Sequence, residues 1–170
     1  MRKFLTIVLW VCASILNAQE NTIHNDNSKL PKYELSFSVG HYVTFGKLVE
    51  GFGTYSISYH KRNNHKNWFW YGFYSYLFPG WVVNSPPCRD YFRFYSIASS
   101  IRLSYLNKPK TIMYSGLSLG IGLMNGDVGG IYPFFQVTSF GFSYGKNFFV
   151  GGELGYGLKG IGCFNAGYRF

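Results

Sequence analysis

The sequence predicts an all-β protein, an eight-stranded antiparallel up-and-down transmembrane β-barrel. Segment after segment alternates between apolar and polar residues, which is typical of strands with one apolar and one polar face. Aromatic residues make up 21% of the chain and charged residues only 14%, too few charges for an ordinary soluble surface. The mean hydropathy is nevertheless −0.01, because the two faces of a membrane strand cancel in the average.

Eight segments carry this alternation. In the first, Leu35, Phe37 and Val39 lie on one face, whereas Glu34 and Ser36 lie on the other. An even number of antiparallel strands can close without leaving an unpaired edge in lipid, and both ends of the barrel then lie on one side. The expected strands cover residues 33–45, 54–60, 68–78, 91–105, 113–124, 133–144, 148–157 and 163–170.

The same strands are compatible with a soluble, lipocalin-like barrel, in which the apolar face would line a ligand cavity. We favour the membrane interpretation because the polar faces consist mostly of Gly, Ser and Thr. The outside of a soluble barrel needs many more Lys and Glu residues. The strands also carry Tyr, Phe and Trp near their ends, as the interfacial girdles of membrane barrels do.

The N-terminal residues have the three parts of a secretory signal peptide. Arg2 and Lys3 form a basic start, residues 4–15 form an apolar run, and Ala18 precedes the expected cleavage point. Later in the chain, no apolar run is long enough to cross a bilayer as a helix. We therefore expect export through a cleaved signal peptide to a bacterial outer membrane. The expected organisation is a signal peptide at 1–18, a polar N-terminal lead-in at 19–32 and an outer-membrane β-barrel at 33–170.

Basic residues collect in the connections between strands. Of the 16 Lys and Arg residues, two lie in the signal peptide, which leaves 14 against 7 acidic residues, a net charge of +7. Attraction to anionic head groups explains such charge more simply than nucleic-acid binding does. We expect a monomer in contact with outer-membrane lipid and lipopolysaccharide. The basic connections include Lys61, Arg62, Lys66, Lys108 and Lys110.

The longest connection, residues 78–90, belongs to the other set of connections, which we place outside the cell. It contains Trp81, Val82, Val83 and two consecutive prolines. We expect a loop that folds over the barrel mouth, with an external binding surface as the alternative.

Four charged residues are predicted to point into the barrel: Glu34, Arg102, Glu153 and Arg169. Charges inside a narrow barrel need partners, and the seventh, eighth and first strands become neighbours when the barrel closes. We therefore expect a structural charge network. A narrow porin-like channel is the alternative, although an eight-stranded interior is only wide enough for its own side chains.

No catalytic set stands out, and we expect no catalytic, cofactor-binding or metal-binding residues. The histidines are His24, His41, His60 and His65. His41 lies on an apolar face near the outer end of the first strand, so an alternative function is a lipid A-modifying enzyme that uses His41 with a nearby serine. Outside the signal peptide the cysteines are Cys88 and Cys163, candidates for a disulfide at the outer end of the barrel.

The chain ends in Tyr168-Arg169-Phe170, which resembles the C-terminal aromatic signal of outer-membrane barrels. This resemblance implies that Tyr168 and Phe170 are read by the barrel-insertion machinery. The segment 140–170 is similar to small outer-membrane barrels of Bacteroidetes-type bacteria. The likeness concerns the fold and not an activity, so the function we expect is a structural or surface-interaction role.

Overall fold

The computed structural model describes residues 30–41, 49–51, 53–85, 88–125 and 129–170, with side chains described for 30–40, 53–80, 93–125 and 129–170. Every regular element in these ranges is a β-strand. The strands are β1 (Tyr33–His41), β2 (Val49–Gly51), β3 (Thr54–Arg62), β4 (Phe69–Ser85), β5 (Cys88–Asn107), β6 (Thr111–Asn125), β7 (Gly130–Tyr144), β8 (Phe148–Gly157) and β9 (Gly162–Arg169).

Eight of these strands form a closed antiparallel barrel. Strand β1 pairs with both β3 and β9, and β4 pairs with β5, so among the described residues the barrel wall has no free edge. The remaining strands pair with their neighbours in sequence. The predicted all-β, eight-stranded antiparallel fold is therefore confirmed.

Alternation along each strand separates an inward polar face from an outward apolar face. On β5, Ser96, Ser100 and Arg102 are buried inside the barrel, whereas Ile97 and Ile101 are exposed on its outer wall. This distribution follows from the period-two geometry of a strand, in which successive side chains point to opposite faces.

The connection at residues 78–90, predicted as a loop, is instead a continuation of two strands. Strand β4 extends to Ser85 and β5 begins at Cys88, with Trp81 opposite Tyr91. Strand β2 pairs with the Gly80–Val82 part of β4 and adds a short ninth strand. Aromatic and β-branched residues favour extended backbone, and the two arms of the hairpin satisfy each other's hydrogen bonds, which a loop would leave to water.

Strand β7 contains one bulge that the alternation pattern does not reveal. Opposite Tyr114 and Gly116 of β6, the paired residues of β7 are Gly141 and Thr138, so β7 has one residue more than its partner. The register with β8 shifts at the same place. The extra residue changes the inward positions from even to odd numbers along β7.

The two ends of the barrel differ. At the end that we call the turn end, short turns at residues 63–68, 108–110 and 145–147 join β3 to β4, β5 to β6 and β7 to β8. The segment that leads into β1 also packs there, since Leu30 is buried and its carbonyl accepts a hydrogen bond from Arg62 Nη2 at 3.0 Å. The opposite end, the loop end, carries the β4–β5 extension and the β8–β9 turn at residues 158–161.

Candidate functional site in the barrel interior

The four charged residues predicted to point inward meet in the barrel interior, and a fifth charge joins them. Glu34, Arg102, Glu153 and Arg169 are all at most 4% exposed, and so is Lys159, which the sequence did not single out. They come from β1, β5, β8, β9 and the β8–β9 turn. The barrel wall thus brings together five charges from distant parts of the sequence.

Each carboxylate in this cluster accepts from two cations. Glu34 Oε1 lies 2.6 Å from Arg102 Nη1, and Glu34 Oε2 lies 2.9 Å from Arg169 Nε. Glu153 Oε2 lies 2.7 Å from Lys159 Nζ, and Glu153 Oε1 lies 3.5 Å from Arg102 Nη2. Arg102 therefore bridges the two carboxylates, and the four contacts form one continuous chain of ion pairs. Charges that are buried this deeply are tolerated only when they are paired and hydrogen-bonded.

Two tyrosines add hydrogen bonds to this charge chain, although Arg102 Nε stays without a partner among the described residues. The Tyr114 hydroxyl donates to Glu153 Oε1 at 2.6 Å, and Arg102 Nη2 donates to the Tyr74 hydroxyl. Asn165 Nδ2 donates a longer bond of 3.4 Å to the same Glu153 oxygen. The network is therefore supported by neutral groups from three further positions.

Three cations against two carboxylates leave the cluster with one formal positive charge. Aromatic faces lie against all three cations: the Arg102 guanidinium is 4.5 Å from the Tyr114 ring centre, Lys159 Nζ is 4.1 Å from that of Tyr74, and the Arg169 guanidinium is 4.1 Å from that of Phe149. The negative face of an aromatic ring attracts a cation, most strongly away from water. The rings thus stabilise the charge that the carboxylates leave unbalanced.

Lys159 reaches the interior because the β8–β9 turn folds into the barrel mouth. Its backbone N–H donates to Gln136 Oε1 at 2.7 Å, and the carbonyl of Leu158 accepts a 2.7 Å hydrogen bond from Thr54 Oγ1. Gly157 and Gly160 bracket the turn with φ values of 136° and 83°, a backbone region that favours glycine. Burial disfavours the charged ammonium, but the Glu153 carboxylate outweighs it and raises the pKa of Lys159.

A second polar contact in the interior joins His60 to Ser100. His60 Nε2 and Ser100 Oγ are 3.2 Å apart, and the His60 ring meets the Tyr74 ring edge-on at 5.0 Å. His60 is 0% exposed and Ser100 is 4% exposed. The alternation of β3 placed His60 on the polar face, but nothing in its spacing indicated Ser100 on β5. Both side chains are therefore enclosed by the barrel wall.

Apolar side chains are also buried in the interior, beside the charge cluster. Trp70, Ile112 and Tyr114 form one buried group. Towards the loop end, Phe78 and Phe94 pack with partly buried apolar side chains, which are Met124, Phe134 and Leu158. The described interior therefore combines a charged cluster with apolar groups.

Inward-facing glycines make room for several of these rings. A Cβ atom at Gly122 would overlap the Phe94 ring, and one at Gly141 would overlap the Tyr114 ring. The glycine-rich pattern of β6 is thus explained by packing. No phosphate-binding loop is needed to account for it.

Other sequence-predicted residues fall outside this cluster. The side chains of His41 and Cys88 lie outside the described residues, so the His41 site and the Cys88–Cys163 disulfide stay predictions. Cys163 is a free thiol with respect to the described residues. Phe170 stacks on Tyr168 and on Tyr33, with ring centres 6.1 and 5.5 Å apart. The two residues of the resembled assembly signal therefore lie on the outer wall at the turn end.

The described residues contain no group of three or more His, Cys, Asp or Glu side chains that could hold a metal ion. In the same residues, no helix is long and apolar enough to cross a membrane. No protein-family model, curated protein or solved structure matches the chain.

Proposed function

We propose that the protein is a small β-barrel of a bacterial outer membrane, of the Bacteroidetes type, with a structural or surface-interaction role and no catalysis. The observation that carries this proposal is the outer wall of the barrel, which is apolar on strand after strand. Ile57 on β3, Ile97 on β5 and Leu119 on β6 are 58%, 59% and 59% exposed. An apolar surface that encircles a protein is far larger than the patches of soluble monomers, and lipid is the environment that it suits.

The inside-to-outside distribution supports the membrane interpretation over the lipocalin-like alternative. A soluble ligand-binding barrel carries apolar side chains within and polar side chains outside. Here the buried positions hold Glu34, Arg102 and Glu153 together with many serines, whereas the large apolar side chains are exposed. The sequence evidence for a signal peptide and the Tyr168-Arg169-Phe170 terminus support the outer-membrane location.

The packed interior supports a structural role over a channel or an enzyme. The ion-pair chain through Arg102 crosses the interior of the barrel, and the Phe78–Phe94 and Trp70–Ile112 groups are buried in the same interior. An eight-stranded interior is only wide enough for its own side chains, so we expect no ion path. The buried His60–Ser100 pair would have to be exposed before it could meet a lipid.

The β4–β5 extension supports a surface-interaction role. Pairing between β5 and β6 begins only at Arg93, so the backbone from Cys88 to Phe92 is paired with β4 alone among the described residues. With β2 on its other side, the extension forms a small sheet beyond the barrel wall. Sheets of this kind offer backbone edges to which another chain can add a strand.

The first test is heat modifiability. The purified protein is run unboiled and boiled on a denaturing gel, with circular dichroism on the same detergent sample. We expect a faster unboiled band and β-type dichroism, since a closed barrel stays compact until it is heated. A protein that is soluble without detergent and gives a single band would contradict the proposal. Lipid A mass spectra changed by expression, or steady conductance in planar bilayers, would replace the structural role with the enzyme or the channel.

A further inference from the structure

The outer wall of the barrel carries a groove where β1, β9 and β8 meet, of about 660 Å³. Its floor is Ala166, which lies between Phe37 and Val150 in the paired registers. Those two neighbours are 49% and 53% exposed, so a small outward residue between larger ones produces the depression. The other apolar walls include Leu35, Phe148 and Tyr168. The groove, which we call the slot, is open to the surroundings of the barrel.

The mouth of this groove lies at the turn end, next to lysine. Tyr144 and Phe148 line the groove, and the exposed Lys146 lies between them in the β7–β8 turn. Across the groove, Lys61 Nζ lies 5.8 Å from the centre of the Tyr33 ring. An apolar slot therefore opens towards positive charge.

Exposed lysines collect at the turn end. Six lysines lie there, none of them buried, namely Lys32, Lys61, Lys66, Lys108, Lys110 and Lys146. The Asp and Glu side chains that the structure describes are those of Glu34 and Glu153, and both are buried in the interior. The exposed lysines of this rim thus have no Asp or Glu partner among the described side chains. A rim of this kind attracts anions.

Aromatic side chains also lie along the rim at the turn end. A continuous line of ring contacts runs from Phe148 to Tyr168, Phe170, Tyr33 and Tyr59, with centres 4.9 to 6.2 Å apart. Tyrosine and other amphipathic rings prefer the level of the lipid head groups. Phe148 and Tyr168 of this line also line the groove, so in a bilayer the slot would lie just inside the hydrocarbon and Lys146 at the level of the phosphates.

We propose that the groove holds an acyl chain of an anionic glycerophospholipid whose phosphate is bound by Lys146, with Lys61 on the opposite side of the mouth. The inference rests on the proposed membrane location and adds a specific lipid partner to it. The apolar slot contributes burial of methylene groups. The lysines contribute selection for a negative head group.

Native mass spectrometry of the purified protein tests this inference. The protein is mixed in detergent with equal amounts of phosphatidylglycerol and phosphatidylcholine that have identical acyl chains. We expect one phosphatidylglycerol to be retained in preference. Lys146→Gln should lower that retention roughly fivefold, as expected for the loss of one lysine near anionic lipid. Ala166→Leu should lower the retention of both lipids, because it fills the floor of the groove.

Two matched variants separate this site from general effects. Lys110→Gln removes an equivalent charge from another turn, and Ser99→Leu enlarges a small outward residue on β5, across the barrel from β9. Both should retain phosphatidylglycerol as the unaltered protein does. Equal retention of the two lipids, equal losses in the control variants, or a dimer mass without lipid would overturn the inference. The comparison of the two lipids on the unaltered protein decides the question even if Ala166→Leu does not fold.

The heat-modifiability assay distinguishes the two proposals. A protein that gives the heat-shifted band but shows no preference between the lipids contradicts the lipid site alone. A protein without that band contradicts the membrane barrel and the lipid site together.

Discussion

The carboxylate of Glu153 is the residue on which the interior charge network most depends. It contacts Lys159 and Arg102 and accepts a hydrogen bond from Tyr114. We expect Glu153→Gln to lower the free energy of unfolding by about 3–5 kcal/mol, because it leaves a buried ammonium without its counter-ion. Guanidinium titration in detergent, followed by tryptophan fluorescence, measures the effect.

The matched variants for this prediction are Lys110→Gln and the double variant Glu153→Gln/Lys159→Met. Lys110 is an exposed charge at the turn end, so its loss should change stability by no more than about 0.5 kcal/mol. The double variant also removes the cation that Glu153→Gln leaves unpaired, so it should recover part of the lost stability. A Glu153→Gln midpoint equal to that of Lys110→Gln would show that the network contributes nothing to stability.

Inward glycines give a second prediction at the scale of single residues. The three atoms nearest to a Cβ at Gly122 belong to the Phe94 ring, whereas those nearest to a Cβ at Gly120 are the Ile97 carbonyl oxygen and the Cα and Cβ of Ala98. We expect both Gly122→Ala and Gly120→Ala to destabilise the barrel by about 1–3 kcal/mol through overpacking. Adding Phe94→Leu should restore part of the stability lost in Gly122→Ala and none of that lost in Gly120→Ala. A double-mutant cycle on unfolding free energies measures this difference, and equal relief at both glycines would refute the packing explanation.

The sequence predicts part of the interior cluster at this scale. The alternation was enough to predict that Glu34, Arg102 and Glu153 point inward, because strand geometry alone determines the face on which a residue lies. The alternation could not predict Lys159. The β8–β9 turn is held in the barrel mouth by hydrogen bonds between its backbone and the side chains of Gln136 and Thr54, which are far away in sequence.

At the scale of elements, the bulge in β7 gives a prediction about a deletion. The residue in excess lies between Thr138 and Gly141. Removing Ser139 would let both neighbouring registers run without a shift and would leave Thr138 and Gly141 on the inward face. We therefore expect the deletion to keep the heat-shifted band of the folded barrel. The hydrogen bond of 2.7 Å from Ser115 Oγ to the Ser139 carbonyl would be lost, a cost of about 1 kcal/mol.

Deletion of Leu119 from β6 is the control for this experiment. Leu119 lies in an uninterrupted part of the register, opposite Ser99 and Phe135. Its loss turns every side chain on one side of the deletion to the wrong face, so no folded band should form. If both deletions gave the heat-shifted band, or if neither did, the register of inward and outward residues would not be what determines whether the barrel folds.

Strand positions were easier to predict than strand lengths. The eight wall strands follow from the alternation, but β4 and β5 continue to Ser85 and Cys88. The predicted loop begins at residue 78, and Pro79 and Gly80 in it are residues that often end strands. In the structure Pro79 lies opposite Arg93, because pairing along the rest of the hairpin outweighs the local preference. Which strands pair is a property of the sheet and not of a single segment.

At the scale of the whole molecule, the eight strands close into a barrel. The position of an outward residue along its strand then determines how deep it would lie in a surrounding bilayer. Ile97 lies opposite Ile121 near the middle of the wall, whereas Tyr144 ends β7 at the turn end. If lipid surrounds the barrel, Ile97→Arg should lower the unfolding free energy by about 2–4 kcal/mol and Tyr144→Arg by only about 0–1 kcal/mol. Guanidinium unfolding of the protein in lipid vesicles provides both values.

The two arginines separate a membrane barrel from a soluble one because they test the same change at different depths. Ile97 and Tyr144 are 59% and 55% exposed, so in water both substitutions would fall on open surface and cost about the same. In a bilayer, only Ile97→Arg forces a guanidinium into hydrocarbon, where its desolvation is not repaid. A cost that increases with depth therefore supports lipid around the wall. Two equal, small costs would mean that water surrounds this barrel, and the apolar wall would then need another partner to cover it.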